Sequence, residues 1–183
     1  FFKKLDGLEE SHLDYSSQYL HSLVNLGKFN EAFNYSKKLE KRSLSNFESD
    51  LIVGIYYIKN EKYDLAQKYF LKIKNRKSSF ILHDFVSNSL LNWNSFSSID
   101  LNNAQSKINT MDPRFENLKN IQNAFLHCFY KSQETELSFK KLASNKKIDF
   151  SRYNYFYATY LVNSGKVDQA KKVIDSSLEL HPR

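Results

Sequence analysis

The chain is poor in the residues that break helices and in those that build covalent or metal-bound scaffolds. It holds two prolines and four glycines in 183 residues. A fold of many tight turns, such as a β-sandwich, needs more of both, because glycine supplies the positive φ of hairpin turns and proline presets the first turn residue. Cys128 is the single cysteine, so no intrachain disulfide can form. A lone thiol in the apolar run Ala124-Phe125-Leu126-His127-Cys128-Phe129 reads as a small packing residue. No apolar run reaches the length of about 20 residues that crosses a bilayer. The five histidines (His12, His21, His83, His127 and His181) share no metal-ligand spacing with one another or with Cys128. A phosphate-cradling glycine loop, a nucleophile elbow and a paired-carboxylate motif are all missing. These absences predict a chain with no catalytic residue, no metal and no cofactor. The sequence opens on Phe1-Phe2-Lys3-Lys4-Leu5, without an initiating Met or a signal-peptide pattern. The compartment and the oligomeric state stay open.

What is present favours helices. With 41% hydrophobic and 26% charged residues there is enough apolar material for an ordered core. Apolar residues recur at helical spacing through nearly the whole chain, which predicts an all-α fold. The formal net charge of +7 raises the question of nucleic acid or an anionic surface. The lysines scatter, however. Lys37, Lys38, Lys41 and Arg42 fall in one segment and Lys140, Lys141, Lys146 and Lys147 in another, with acidic residues between. The joint abundance of Lys, Asn, Ile, Phe, Tyr and Ser is also what AT-rich codons produce, so the charge reads as solvated surface rather than as a polyanion site. Asn34-Tyr35-Ser36 has the letters of a glycosylation acceptor but falls inside a predicted helix.

The strongest positive signal is a period. Phe29, Ala32 and Leu39 return in kind after 34 residues as Tyr63, Ala66 and Ile73, and Leu5 stands 34 before Leu39. A fixed period in this range marks a repeat array, in which each unit is too small to bury its apolar face alone and must stack on its neighbours. Helices are predicted over about 13–26, 29–42, 47–59, 63–74, 79–93, 104–111, 113–131, 153–162 and 167–180, with a further one around Leu137, Phe139 and Leu142. Phe29, Ala32, Phe33, Ser36 and Leu39 form the expected packing face of the second, and Asn94–Ser98 a polar loop. Asp112 is placed to cap a helix that has Pro113 in its first turn. The array divides into 1–12, read as the end of a truncated preceding repeat, repeats over 13–45 and 46–77, degenerate repeats over 78–111 and 112–148, and a last repeat over 149–183.

These residues resemble the tetratricopeptide repeat (TPR) family. Leu26-Gly27-Lys28-Phe29-Asn30-Glu31-Ala32 matches the family's turn and second-helix start, as does Tyr63-Asp64-Leu65-Ala66-Gln67-Lys68-Tyr69-Phe70 with Gly54 as the small crossing residue. Gly165-Lys166-Val167-Asp168-Gln169-Ala170, with Ala158 before it and Pro182 after it, is the fullest match. In the two degenerate units Ala104 and Ala124 fit, Asn88 stands where a small residue is expected, and the glycine turn is missing. The resemblance implies an α-solenoid of stacked antiparallel helix hairpins in a right-handed superhelix. It also implies a scaffold that binds a peptide or helix of a partner protein in a groove lined by the first helices. Carried over by register, the groove residues are Ser17, His21 and Asn25, then Leu51, Ile55 and Lys59, then Phe85, Ser89 and Asn92, and finally Arg152, Tyr155 and Thr159. The Lys and Asn pairs with which some members clamp a C-terminal carboxylate are replaced by Ser17, His21, Leu51 and Ile55, which disfavours a chaperone-tail clamp. Two other readings stand beside the scaffold: an RNA-binding helical repeat using the basic surface, and the substrate-recruiting array of a larger enzyme.

Overall fold

The computed structural model describes residues 8–10, 12, 14–76, 81–145 and 150–180. Among them are ten α-helices and no strand, so the fold is all-α. The chain divides into two compact units, Phe1–Ser97 and Ser98–Arg183. That division falls within the repeat predicted over 78–111. The residues assigned to a truncated preceding repeat lie mostly outside the described residues, as do Leu13, Phe80, Lys146, Lys147, His181 and Pro182.

The first unit holds α1 (Tyr15–Asn25), α2 (Phe29–Lys41), α3 (Phe47–Lys59), α4 (Tyr63–Lys74) and α5 (Ile81–Ser95). Each of the first four helices packs on the next, and α5 packs on α4. The turns share one construction. Gly27 adopts φ 70°, and Lys28 N–H reaches back to the Leu23 carbonyl at 2.8 Å, which closes α1 with a left-handed cap. Glu61 does the same with φ 58° and Lys62 N–H on the Tyr57 carbonyl, although no glycine is present. Ser43, at φ 59°, closes α2 in this way, with Leu44 N–H on the Leu39 carbonyl. Helix α3 then starts on a reciprocal cap in which Asn46 accepts from Ser49 N–H and Ser49 Oγ accepts from Asn46 N–H.

The second unit holds α6 (Leu101–Asn109), α7 (Glu116–Phe129), α8 (Thr135–Ala143), α9 (Ser151–Asn163) and α10 (Val167–Leu180). Asp112 caps as expected, but over a short 3-10 turn, Pro113–Phe115, that precedes α7. Gly165 closes α9 with φ 75°, and Lys131 closes α7 with φ 51° and Ser132 N–H on the His127 carbonyl. The turn that looked lost in the fourth hairpin is therefore kept, on a lysine. A non-glycine residue in this region costs about 1–2 kcal/mol. Glu61→Gly and Lys131→Gly should each stabilise the chain by about 0.5–1 kcal/mol in urea unfolding, and Gly27→Ala should cost about 1 kcal/mol.

The repeat shows most clearly in what is buried. Ala32, Ser36 and Leu39 on α2 are matched by Ala66, Phe70 and Ile73 on α4, Ala104, Ile108 and Met111 around α6, and Thr135, Phe139 and Leu142 on α8, all buried. Ala170 heads the series on α10. Thr135, 1% exposed, is thus the small crossing residue of the fourth hairpin. It was invisible in the sequence because the step from Ala104 shortens to 31 residues and no alanine marks it. Ala158, also expected at a crossing, is buried as well.

Gly54 carries the tightest approach: a methyl group there would fall on the Phe70 ring, 2.8 Å from Cδ1 and closer still to Cε1. Phe70, fully buried, fills the space that the missing side chain leaves. Three expectations need correction. Phe29 is 57% exposed and is not a packing residue, since the first turn of α2 overhangs the core. Within the predicted loop Asn94–Ser98, α5 runs on to Ser95 and a 3-10 turn follows. That turn buries Phe96 to 1% exposure against the edge of Trp93. The small buried residue of α5 is Ser87, one position before the expected Asn88.

Two polar ties join helices of the first unit. Asp50, 1% exposed, accepts from Arg76 Nε at 3.2 Å and Nη2 at 2.5 Å, and the same Nη2 donates to the Ser45 carbonyl at 3.0 Å. Glu40 on α2 accepts from Lys37, from Lys72 at 2.6 Å and from the Tyr69 hydroxyl at 2.8 Å. Burial opposes the charge on Glu40, but the hydrogen bonds from Lys37, Lys72 and Tyr69 outweigh it and hold the carboxyl down at about 2, against an ordinary value of 4.5. A depressed carboxyl stabilises the fold fully above its unfolded value and loses that contribution as pH falls toward its folded one. Wild type should exceed Glu40→Gln in stability by on the order of 2 kcal/mol at neutral pH, with the difference vanishing between pH 4.5 and 2 in pH-stepped urea melts.

Candidate functional site

Side chains four apart on a helix share a face. On α3 that rule aligns Leu51, Ile55 and Lys59, and on α1 it aligns Leu20 and Val24. The two faces meet in a groove of about 420 Å³, which Phe29 and Asn30 from the start of α2 also line. Its floor is aliphatic and aromatic, with Ile52 and Tyr56 beside Leu51 and Ile55. Tyr56 is fixed by stacking on Phe33, ring centroids 3.8 Å apart. Polar groups sit at the margins: His21 from α1, Glu48 at the start of α3 and Lys59 at its end. Exposure is high for a floor of this kind, 57% at Phe29, 48% at Ile55 and 36% at Val24.

Four of the expected residues, His21, Leu51, Ile55 and Lys59, line this groove. Ser17 and Asn25 flank it. Ser17 donates to Glu48 at 3.0 Å and accepts from Asn46 at 3.0 Å, so it ties α1 to α3 and orients the groove's carboxylate. Asn25 lies 3.4 Å from the His21 ring nitrogen Nδ1. Val24, Phe29 and Tyr56 also line it and were not foreseen. The recurring aromatic at the second-helix start is the sequence signal that marks Phe29.

The α5 trio is not part of the groove. Phe85 is 7% exposed and acts as a core residue, a correction to its expected role. Ser89 donates to the Phe85 carbonyl at 2.8 Å, and the Asn92 carbonyl accepts from Ser95. Arg152, Tyr155 and Thr159 belong to α9 in the second unit. There Tyr155 is 67% exposed beside Phe156, and Thr159 donates to the Tyr155 carbonyl.

Among the described residues no group of three or more His, Cys, Asp or Glu side chains could hold a metal ion, and no helix is long and apolar enough to cross a membrane. Burial pushes the Cys128 thiol above its ordinary value, which lowers its thiolate fraction at neutral pH. His127 is buried at the end of α7, its Nδ1 without a hydrogen bond among the described residues and its Nε2 3.7 Å from Glu134.

No family model matches the sequence, and no curated protein does. A solved structure described as the crystal structure of MamA is similar over 87% of this chain and 92% of its own, at 16% identity and a TM-score of 0.47.

Proposed function

We propose that the chain is a TPR-like scaffold that binds a peptide segment of a partner protein in the groove between α1 and α3. One observation carries this reading: Val24, Phe29 and Ile55, each more than a third exposed, converge on a single open groove instead of scattering over the surface. Grouped exposed apolar side chains with a polar rim are the mark of an interaction site. The rim adds direction. Glu48 and Lys59 bracket α3, eleven residues or roughly 16 Å apart at 1.5 Å per residue. The segment that fits carries two or three apolar side chains, with an acidic residue toward Lys59 and a basic one toward Glu48. No catalysis is assigned to the chain.

The test is selection from a displayed peptide library, followed by backbone amide mapping of a selected peptide. The expected result is enrichment of apolar segments with that charge order, with shifts confined to α1, α3 and the start of α2. RNA binding that survives physiological salt, with no peptide selected, would replace this reading with the nucleic-acid one.

A further inference from the structure

The two units treat the space between successive second helices differently. Between α2 and α4 it is closed by the chain's own carboxylate, since Glu40 is held by Lys37, Tyr69 and Lys72. The buried triplets set the register for the second unit. Ala32, Ser36 and Leu39 correspond to Thr135, Phe139 and Leu142, so Lys37 corresponds to Lys140 and Glu40 to Ala143. Ala66 corresponds to Ala170, so Tyr69 corresponds to Val173 and Lys72 to Ser176. All four counterparts line one groove of about 320 Å³ between α8, α9 and α10. The lysine is kept, the carboxylate is gone, and the two groups that crowded it have become smaller.

What lines the groove favours an anion. Lys140 and Lys172 both reach it, and neither is ion-paired among the described residues. Asn154 lines it from α9, 9% exposed, with no hydrogen bond to its side chain among the described residues. Its amide is left open to the groove, where it can donate to an entering anion. Glu136 at the edge is already neutralised by Lys166. We infer that this groove is a second binding site, taking a carboxylate from an acidic side chain of a partner protein where Glu40 stands in the first unit. The site is built from residues of the second unit alone and is independent of the α1/α3 groove.

Two measurements test it. Ala143→Glu should rebuild the internal tie and raise Tm by about 3 °C, and the gain should disappear when Lys140→Ala is added. A gain that survives Lys140→Ala, or a lowered Tm, would show that the groove does not take a carboxylate. In the second measurement, a fluorescent Ala/Glu peptide is titrated into the chain beside its Ala/Gln counterpart and followed by anisotropy. The Glu peptide should bind and the Gln peptide should not. Lys140→Ala and Lys172→Ala, both exposed and harmless to folding, should each weaken binding about tenfold, while Lys68→Ala and Lys74→Ala in the first unit leave it unchanged. Equal binding of the two peptides, absence of binding, or equal loss from the remote lysines would overturn the inference.

Discussion

Phe70→Ala should cost about 3–5 kcal/mol, the range for emptying a buried aromatic site, and should be the most damaging single truncation in the first unit. The ring is fully buried and packs with Ala66 and Ile73 against Leu51, Ile58 and Leu90, so it joins α3, α4 and α5 at one point. The site cannot collapse cheaply, because Gly54 offers no side chain to fill the space. The reciprocal change, Gly54→Ala, gains up to about 1 kcal/mol of helix propensity but drives a methyl group into the ring, a conflict costing about 1–3 kcal/mol. The pair should therefore couple: Gly54→Ala is expected to destabilise the wild type and to stabilise the Phe70→Ala background. A urea double-mutant cycle measures this, and additivity of the two changes would show that the contact carries no energy.

That contact also shows how far the sequence can be read. Gly54 was legible through the TPR resemblance, which puts a small residue where the helices cross. Its partner was not. Tyr63, the aromatic at the second-helix start, is 43% exposed, and the gap is filled by Phe70, two turns further along α4. Periodicity reports which face of a helix is apolar, and burial depends on how far along that face the neighbouring helix reaches. The same limit explains Phe29, assigned to packing at the overhanging first turn. It explains Phe96 too, an isolated aromatic among polar residues that the chain folds back to bury.

The groove was half legible for a related reason. The i, i+4 series Leu51, Ile55 and Lys59 follows from the TPR resemblance carried over by register, and the structure places all three in one groove with His21. Phe85 followed the same register and failed, because it is buried, and the buried small residue of α5 is Ser87, one position before the one the register names. The turn over 60–62 follows from the predicted helix ends, but its left-handed cap at Glu61, like that at Lys131, was hidden because such a cap leaves a sequence trace only when glycine occupies it. The α8/α10 groove left no trace at all. It consists of the absence of Glu40's counterpart, and recognising an absence requires the register that Thr135 supplies.

The strongest test of the α1/α3 groove is the pair Phe29→Ala and Ile55→Ala, which together should weaken a selected peptide by on the order of 30-fold, or about 2 kcal/mol. These two are chosen over Leu51 because they are 57% and 48% exposed, whereas Leu51 packs against the Ala66, Phe70 and Ile73 cluster and its loss would confound binding with folding. Melting temperature should move by no more than a degree or two, since a side chain already half in water has little burial to lose. Lys59→Glu should weaken the same peptide when its acidic residue is present and have no effect when that residue is replaced by glutamine, a charge-specific response that steric loss cannot mimic. Arg152→Ala with Tyr155→Ala then asks how far the interface extends: lost affinity carries it onto α9, and unchanged affinity confines it to the first unit. A selected peptide indifferent to both Phe29→Ala and Ile55→Ala would remove the groove from the interface, because these two are the most exposed apolar side chains that line it.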